Sequence, residues 1–69
     1  MAVTINIDAI QMRRMAKGYS QKELAKQAGI SPLAVNYLER KKTIPHPATL
    51  KKICNALDIT VESICLIKN

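Results

Sequence analysis

Apolar residues recur at intervals of three and four along most of this chain, the spacing of helices that bury one face. The first such stretch follows Asn6 and runs to about Lys17, where Gly18 stops it. Ile10 and Met15, with Ile7 or Met12, form its inward face, and Arg13 and Lys17 face water. Asn6 or Asp8 can cap its start. Ser20 opens the second helix, and Glu23 three residues later has the spacing of a capping box. Leu24, Ala25 and Ala28 then share one face. Gly29 suits the positive φ at which a chain leaves a helix. Ile30 can turn inward, Ser31 can cap the third helix, and Pro32 fits its first position. Val35 and Leu38 form the buried side of that helix, leaving Leu33, Asn36, Tyr37 and Arg40 outward.

Arg40, Lys41 and Lys42 lead through Thr43 and Ile44 into Pro45-His46-Pro47, a basic loop ending in prolines. Thr49–Leu57 predicts a fourth helix, with Leu50, Ile53, Cys54 and Leu57 inward and Lys51 and Lys52 outside. Asp58-Ile59 is a turn. Thr60 caps a fifth helix that packs Val61, Ile64 and Cys65, with Leu66 and Ile67 near the end of the chain. At the other end, Val3 to Ile7 alternates apolar and polar like a strand. A lone strand has no partner in a small helical domain, so residues 1–6 are expected to form a flexible arm that drops Ile5 or Ile7 onto the core. Pairing of two such arms between copies is the alternative. The expectation is an all-α, five-helix single domain over residues 1–69.

Two short helices joined by a tight turn at Gly29 make a helix-turn-helix unit over Ser20–Arg40, which points to DNA. Charge agrees with this. Eleven Lys and Arg against five Asp and Glu give the 69 residues a net charge of +6, the balance of a protein that meets a polyanion. The chain is 48% hydrophobic yet has no Phe or Trp, so the core must be built from Ile, Leu, Val, Met and Ala. Cys54 and Cys65 lack disulfide-scaffold or metal-site spacing and read as core thiols. His46, between two prolines, has no partner at catalytic spacing. The sequence carries no nucleophile–base pair, metal cluster or glycine-rich phosphate loop, so no enzyme, metal or cofactor is expected. An apolar run long enough for a bilayer and a signal peptide are also missing, which makes a cytoplasmic location the expectation.

Taken together, Arg14, Gly18-Tyr19-Ser20-Gln21, Leu24-Ala25, Gly29-Ile30-Ser31, Val35 and Leu38-Glu39 resemble the Cro/C1-type (XRE) helix-turn-helix regulators. Pro45 and the Leu50…Ile53…Ala56-Leu57…Ile59-Thr60 ending extend the likeness over nearly the whole chain. The resemblance implies a lambda-repressor-like DNA-binding domain whose third helix enters the major groove. It implies that Pro32, Leu33, Asn36 and Tyr37 face bases, and that Gln21, Arg40, Lys41, Lys42 and Thr43 meet phosphates. It also implies a structural ion pair between Arg14 and Glu39. Two positions depart from the family pattern. Pro32 and Leu33 stand where glutamines are common, which shifts readout toward thymine methyls, Asn36 and Tyr37. Lys41 stands where glycine usually follows the third helix, so it must accept positive φ or end the helix differently. Lys22 and Lys26 read as solvated surface.

The function these features imply is a sequence-specific transcriptional regulator that binds double-stranded DNA as a homodimer on a pseudo-palindromic operator, with a repressor that blocks polymerase the simplest mechanism and activation by touching polymerase equally open. No small-molecule ligand is expected. The competing reading is an antitoxin-like or accessory module with a protein partner, motivated by exposed Leu33 and Tyr37 and the Leu66-Ile67 tail. The expected dimer surface is Ile64, Leu66 and Ile67.

Overall fold

Three helices start at side chains that fill an otherwise unpaired N–H of the first turn. In the computed structural model, which describes the backbone of residues 2–68 and the side chains of residues 4–65, α1 spans Ile7–Ala16. Asn6, not Asp8, caps it, its Oδ1 accepting from Ala9 N at 3.1 Å. α2 spans Gln21–Ala28, and Ser20 Oγ accepts from Glu23 N at 3.0 Å. Only this half of the capping box forms, because the Glu23 carboxylate accepts from Gln27 Nε2. α3 spans Pro32–Glu39 and is capped by Ser31 Oγ, which accepts from Ala34 N. α4 spans Pro47–Ala56, beginning two residues before the expected Thr49 because Pro47 is preset for a first helical position.

The turn between α2 and α3 is built on Gly29, whose φ of +72° lets Ile30 N donate back to Ala25 O at 3.0 Å. α2 therefore lies against both α3 and α4, and α1 packs on α3. Ile10, Leu24, Val35, Leu38, Ile53 and Leu57 are essentially solvent-free and meet at the centre. Cys54 joins them as a core thiol. Burial pushes its pKa up, the neighbouring Cys65 adds to this, and Lys51 opposes it.

The two ends of the chain differ from expectation, and each explains the other. The predicted fifth helix is a single 3-10 turn over Glu62–Ile64, followed by a strand over Cys65–Lys68. Residues 2–5 form a strand in place of a loose arm. We call these strands β1 (Ala2–Ile5) and β2 (Cys65–Lys68). They pair antiparallel, with Ile5 opposite Cys65 and Val3 opposite Ile67, and Asn6 N donates to Ile64 O at 2.8 Å. A helix of so few terminal residues is marginal in water. Pairing the ends satisfies backbone groups on both strands instead. Ile64 is buried and so unavailable as a dimer surface, while the side chains of Leu66 and Ile67 lie outside the described residues.

Met15, expected inside, is 62% exposed. The inward line of α1 passes through Ile10 and Arg14, one position away from Met15, and a polar residue takes the place of the expected apolar one. Arg13 is exposed as expected, whereas Lys17, expected in water, has a side chain only 23% exposed. Arg13 Nε donates to Leu57 O at 2.9 Å, capping the end of α4, and Lys17 pairs with Asp58. Among the described residues no helix is long and apolar enough to cross a membrane.

Candidate nucleic-acid interface

The orientation of α3 is set by a polar chain running beneath it. Arg14 on α1 donates through Nε to Glu39 Oε2 at 2.6 Å and through Nη2 to Glu39 Oε1 at 3.0 Å. Its remaining nitrogen, Nη1, donates to Tyr19 O at 2.7 Å. This two-bond fork is the geometry in which arginine and carboxylate interact most strongly. The Glu39 side chain is 2% exposed and that of Arg14 12%, so the pair is largely withdrawn from water. Gln21, the first residue of α2, donates from Nε2 to Glu39 Oε1 at 3.2 Å. Asn36 in turn donates from Nδ2 to Gln21 Oε1 at 3.2 Å. One connected network thus ties α1, α2 and α3, and among the described residues no buried side-chain nitrogen or oxygen lacks a partner.

The outer end of this network is Asn36, half-buried on α3. Its bond to Gln21 uses one of the two N–H groups of the amide. Oδ1 and the second N–H stay available, which is the donor–acceptor pair that an adenine edge takes up in the major groove. Pro32, Leu33 and Tyr37 lie exposed on the same helix, Leu33 at 57%. None of the three can make that two-bond contact. Leu33 offers methyl groups, and Tyr37 a ring and a hydroxyl.

Past the end of α3, the backbone folds back through Lys41 N to Leu38 O and Lys42 N to Tyr37 O, both at 2.9 Å. Lys41 takes φ +59°, the conformation for which glycine would be the unstrained choice. Its ammonium lies 3.3 Å from Asp8 Oδ1 on α1. Arg40, Lys42 and Thr43 are exposed beside it and engage no side-chain acceptor among the described residues. The site therefore brings Gln21, Asn36 and Glu39 into one network and sets Arg40–Thr43 along its flank. The link from Gln21 to Asn36 and the Asp8 partner of Lys41 escaped the sequence reading. Asp8 and Lys41 sit on separate elements far apart in the chain, and no periodicity marks such a pair.

Residues 10–64 match the sequence model of the helix-turn-helix family. This chain belongs to the Cro/C1-type helix-turn-helix family. Its fold is similar to the N-terminal DNA-binding domain of SinR from Bacillus subtilis. The two are 33% identical with a TM-score of 0.79, over 83% of this chain and 84% of that one. The P22 c2 repressor, solved in complex with a synthetic operator, is 27% identical with a TM-score of 0.78 over 86% of this chain and 89% of its own. A hypothetical transcription factor from Neisseria is 30% identical with a TM-score of 0.78, over 81% of this chain and 63% of that one. Multiprotein-bridging factor 1 of Schizosaccharomyces pombe is 41% identical over 51 residues, which span 74% of this chain but 34% of the bridging factor. The chain thus covers only part of the length of some of its relatives. Several of the solved structures it resembles are DNA-binding regulators.

Proposed function

We propose that this chain is a sequence-specific transcriptional regulator that binds a pseudo-palindromic operator as a homodimer and represses by occupying it. α3 enters the major groove, where Pro32, Leu33, Asn36 and Tyr37 face base edges. Gln21, Arg40, Lys41, Lys42 and Thr43 meet phosphates on either side. The observation that supports this reading most is the chain from Arg14 through Glu39 and Gln21 to Asn36, which holds one amide on α3 with its adenine-reading atoms unspent. The likeness to the P22 c2 repressor, solved on operator DNA, supports the same docking. Phosphate contacts fix register and supply affinity, and base contacts supply choice. In a dimer the two α3 helices would read half-sites about one helical turn apart, roughly 34–36 Å.

The alternative, a module devoted to a protein partner, draws on the exposure of Leu33 and Tyr37. Selecting bound duplexes from random DNA separates the two readings. The regulator is expected to enrich a symmetric site, and affinity for that site should fall steeply with salt. Asn36→Ala should then lose about 1–3 kcal/mol of discrimination at one base pair. Equal affinity for selected and random duplexes at every salt concentration would overturn the regulator reading. A loss on Asn36→Ala that is uniform across sequences would make Asn36 a backbone contact.

A further inference from the structure

The exposed surface of α3 presents two kinds of chemistry. Asn36 is held by Gln21 from α2 and offers an amide. Leu33 and Tyr37, four residues apart and so on one face of the helix, border an apolar hollow of about 460 Å³ that Asn36 does not line. Ile44 and Pro45, from the segment that follows α3, close its other side. Ile44 is 90% exposed, the most exposed large apolar side chain among the described residues.

The polar groups of this hollow share one property. Ser31, Tyr37, Thr43 and Thr49 bring hydroxyls, and His46 brings an imidazole ring. Among the described residues no lysine, arginine, carboxylate or amide side chain lines it. A hydroxyl turns to donate or to accept, and a neutral imidazole has one nitrogen of each kind. The hollow therefore tells apolar surface from polar, but not a donor from an acceptor. In the major groove, thymine shows a C5-methyl beside the O4 acceptor, and cytosine shows the N4 donor with no methyl. 5-Methylcytosine carries the methyl of the first beside the donor of the second.

We propose that this hollow reads the C5-methyl of a pyrimidine and takes thymine and 5-methylcytosine alike, so that methylating cytosine at that position strengthens binding. The inference rests on the docking of α3 proposed above and adds to it a chemical mark on the DNA. Charge commits the hollow to DNA as its occupant. Arg40, Lys41 and Lys42 are the three residues between the end of α3 and Thr43, and cations beside an apolar wall draw in a phosphate backbone that carries base edges with it. Burying one methyl group is worth about fourfold in affinity.

The test uses the half-site selected from random DNA and compares four synthetic duplexes at each of its pyrimidine positions. Thymine and uracil are placed opposite adenine, and 5-methylcytosine and cytosine opposite guanine, so that within each pair only the methyl changes. At one position the methylated member of both pairs should bind about fourfold more tightly. Leu33→Ala and Ile44→Ser, both at exposed positions and checked for folding by thermal melts, should each shrink the two increments toward onefold. Asn36→Ala should keep them. A methyl increment in the thymine pair alone would show that the 4-substituent is read, and would overturn the proposal. So would the absence of an increment at every position, weaker binding on methylation, or increments that survive both Leu33→Ala and Ile44→Ser. If selection yields no preferred site at all, the regulator reading falls and takes this inference with it.

Discussion

Glu39→Ala removes the acceptor on which three helices converge. In its absence Arg14 keeps only its bond to Tyr19 O, and a side chain only 12% exposed is left without a counter-charge. Gln21 also loses an acceptor, and the restraint it places on Asn36 loosens. Removing one partner of a pair this deeply buried costs about 3–5 kcal/mol, because the surviving charge stays desolvated. A domain of 69 residues holds roughly 3–10 kcal/mol in total at the usual 0.05–0.15 per residue. The substitution should therefore remove at least about three-tenths of the stability and can unfold the domain outright. Urea unfolding followed by far-ultraviolet circular dichroism measures this, with the slope against urea checking that the same surface is exposed. Replacing both partners together, Arg14→Leu with Glu39→Leu, should recover most of the loss, since an apolar pair leaves no stranded charge. A loss below about 1 kcal/mol for Glu39→Ala would refute the reasoning. It would mean that Arg14 regains water freely and that the pair behaves like an exposed one.

Lys41→Gly should raise stability modestly, by about 0.5–1 kcal/mol in thermal or urea melts, as relief of positive φ outweighs loss of the exposed Asp8 pair and the extra freedom of an unfolded glycine. The same variant should lower the salt slope of DNA binding by about one unit, and an unchanged slope would show that Lys41 makes no phosphate contact. Asp58 supplies a pH prediction. A hydrogen bond from Lys17, and next its charge, hold the carboxyl below the usual 3.8; desolvation opposes them, and the charge of Arg13 adds the smallest lowering. Its contribution is therefore present above the ordinary carboxylate range and disappears as pH falls through the lowered value. Melting temperatures of the wild type should drop on acidification below about pH 4, and Asp58→Asn, which tolerates the φ of +56° at this position, should show a smaller drop. Parallel curves would remove Asp58 from the acid response.

The starts of α2 and α3 were legible because capping is local. Ser20 and Ser31 each lie three residues before the N–H they accept from, and a glycine marks the turn between their helices. The faces of α2, α3 and α4 were legible for the same reason, as the residues expected inside at Leu24, Val35, Leu38, Ile53 and Leu57 are all buried. α1 was less so. A helical repeat fixes a stripe only to within one position, and the structure chose Arg14 over Met15 because Glu39 on α3 offers a partner there.

The sequence by itself determined the helix-turn-helix, its caps, the inward residues of three helices and the basic loop after α3. All of these depend on residues within about one helical turn of one another, where backbone geometry leaves few choices. Tertiary structure alone decided the pairing of β1 with β2, the partner of Lys41 on α1, and the route from Glu39 through Gln21 to Asn36. These are meetings of groups distant in the chain. A strand becomes a strand, and an amide is steered by its neighbour, only after the core has brought the two sides together. The exposure of Ile44 belongs with them, because which apolar side chains are left over is settled only when the rest have packed.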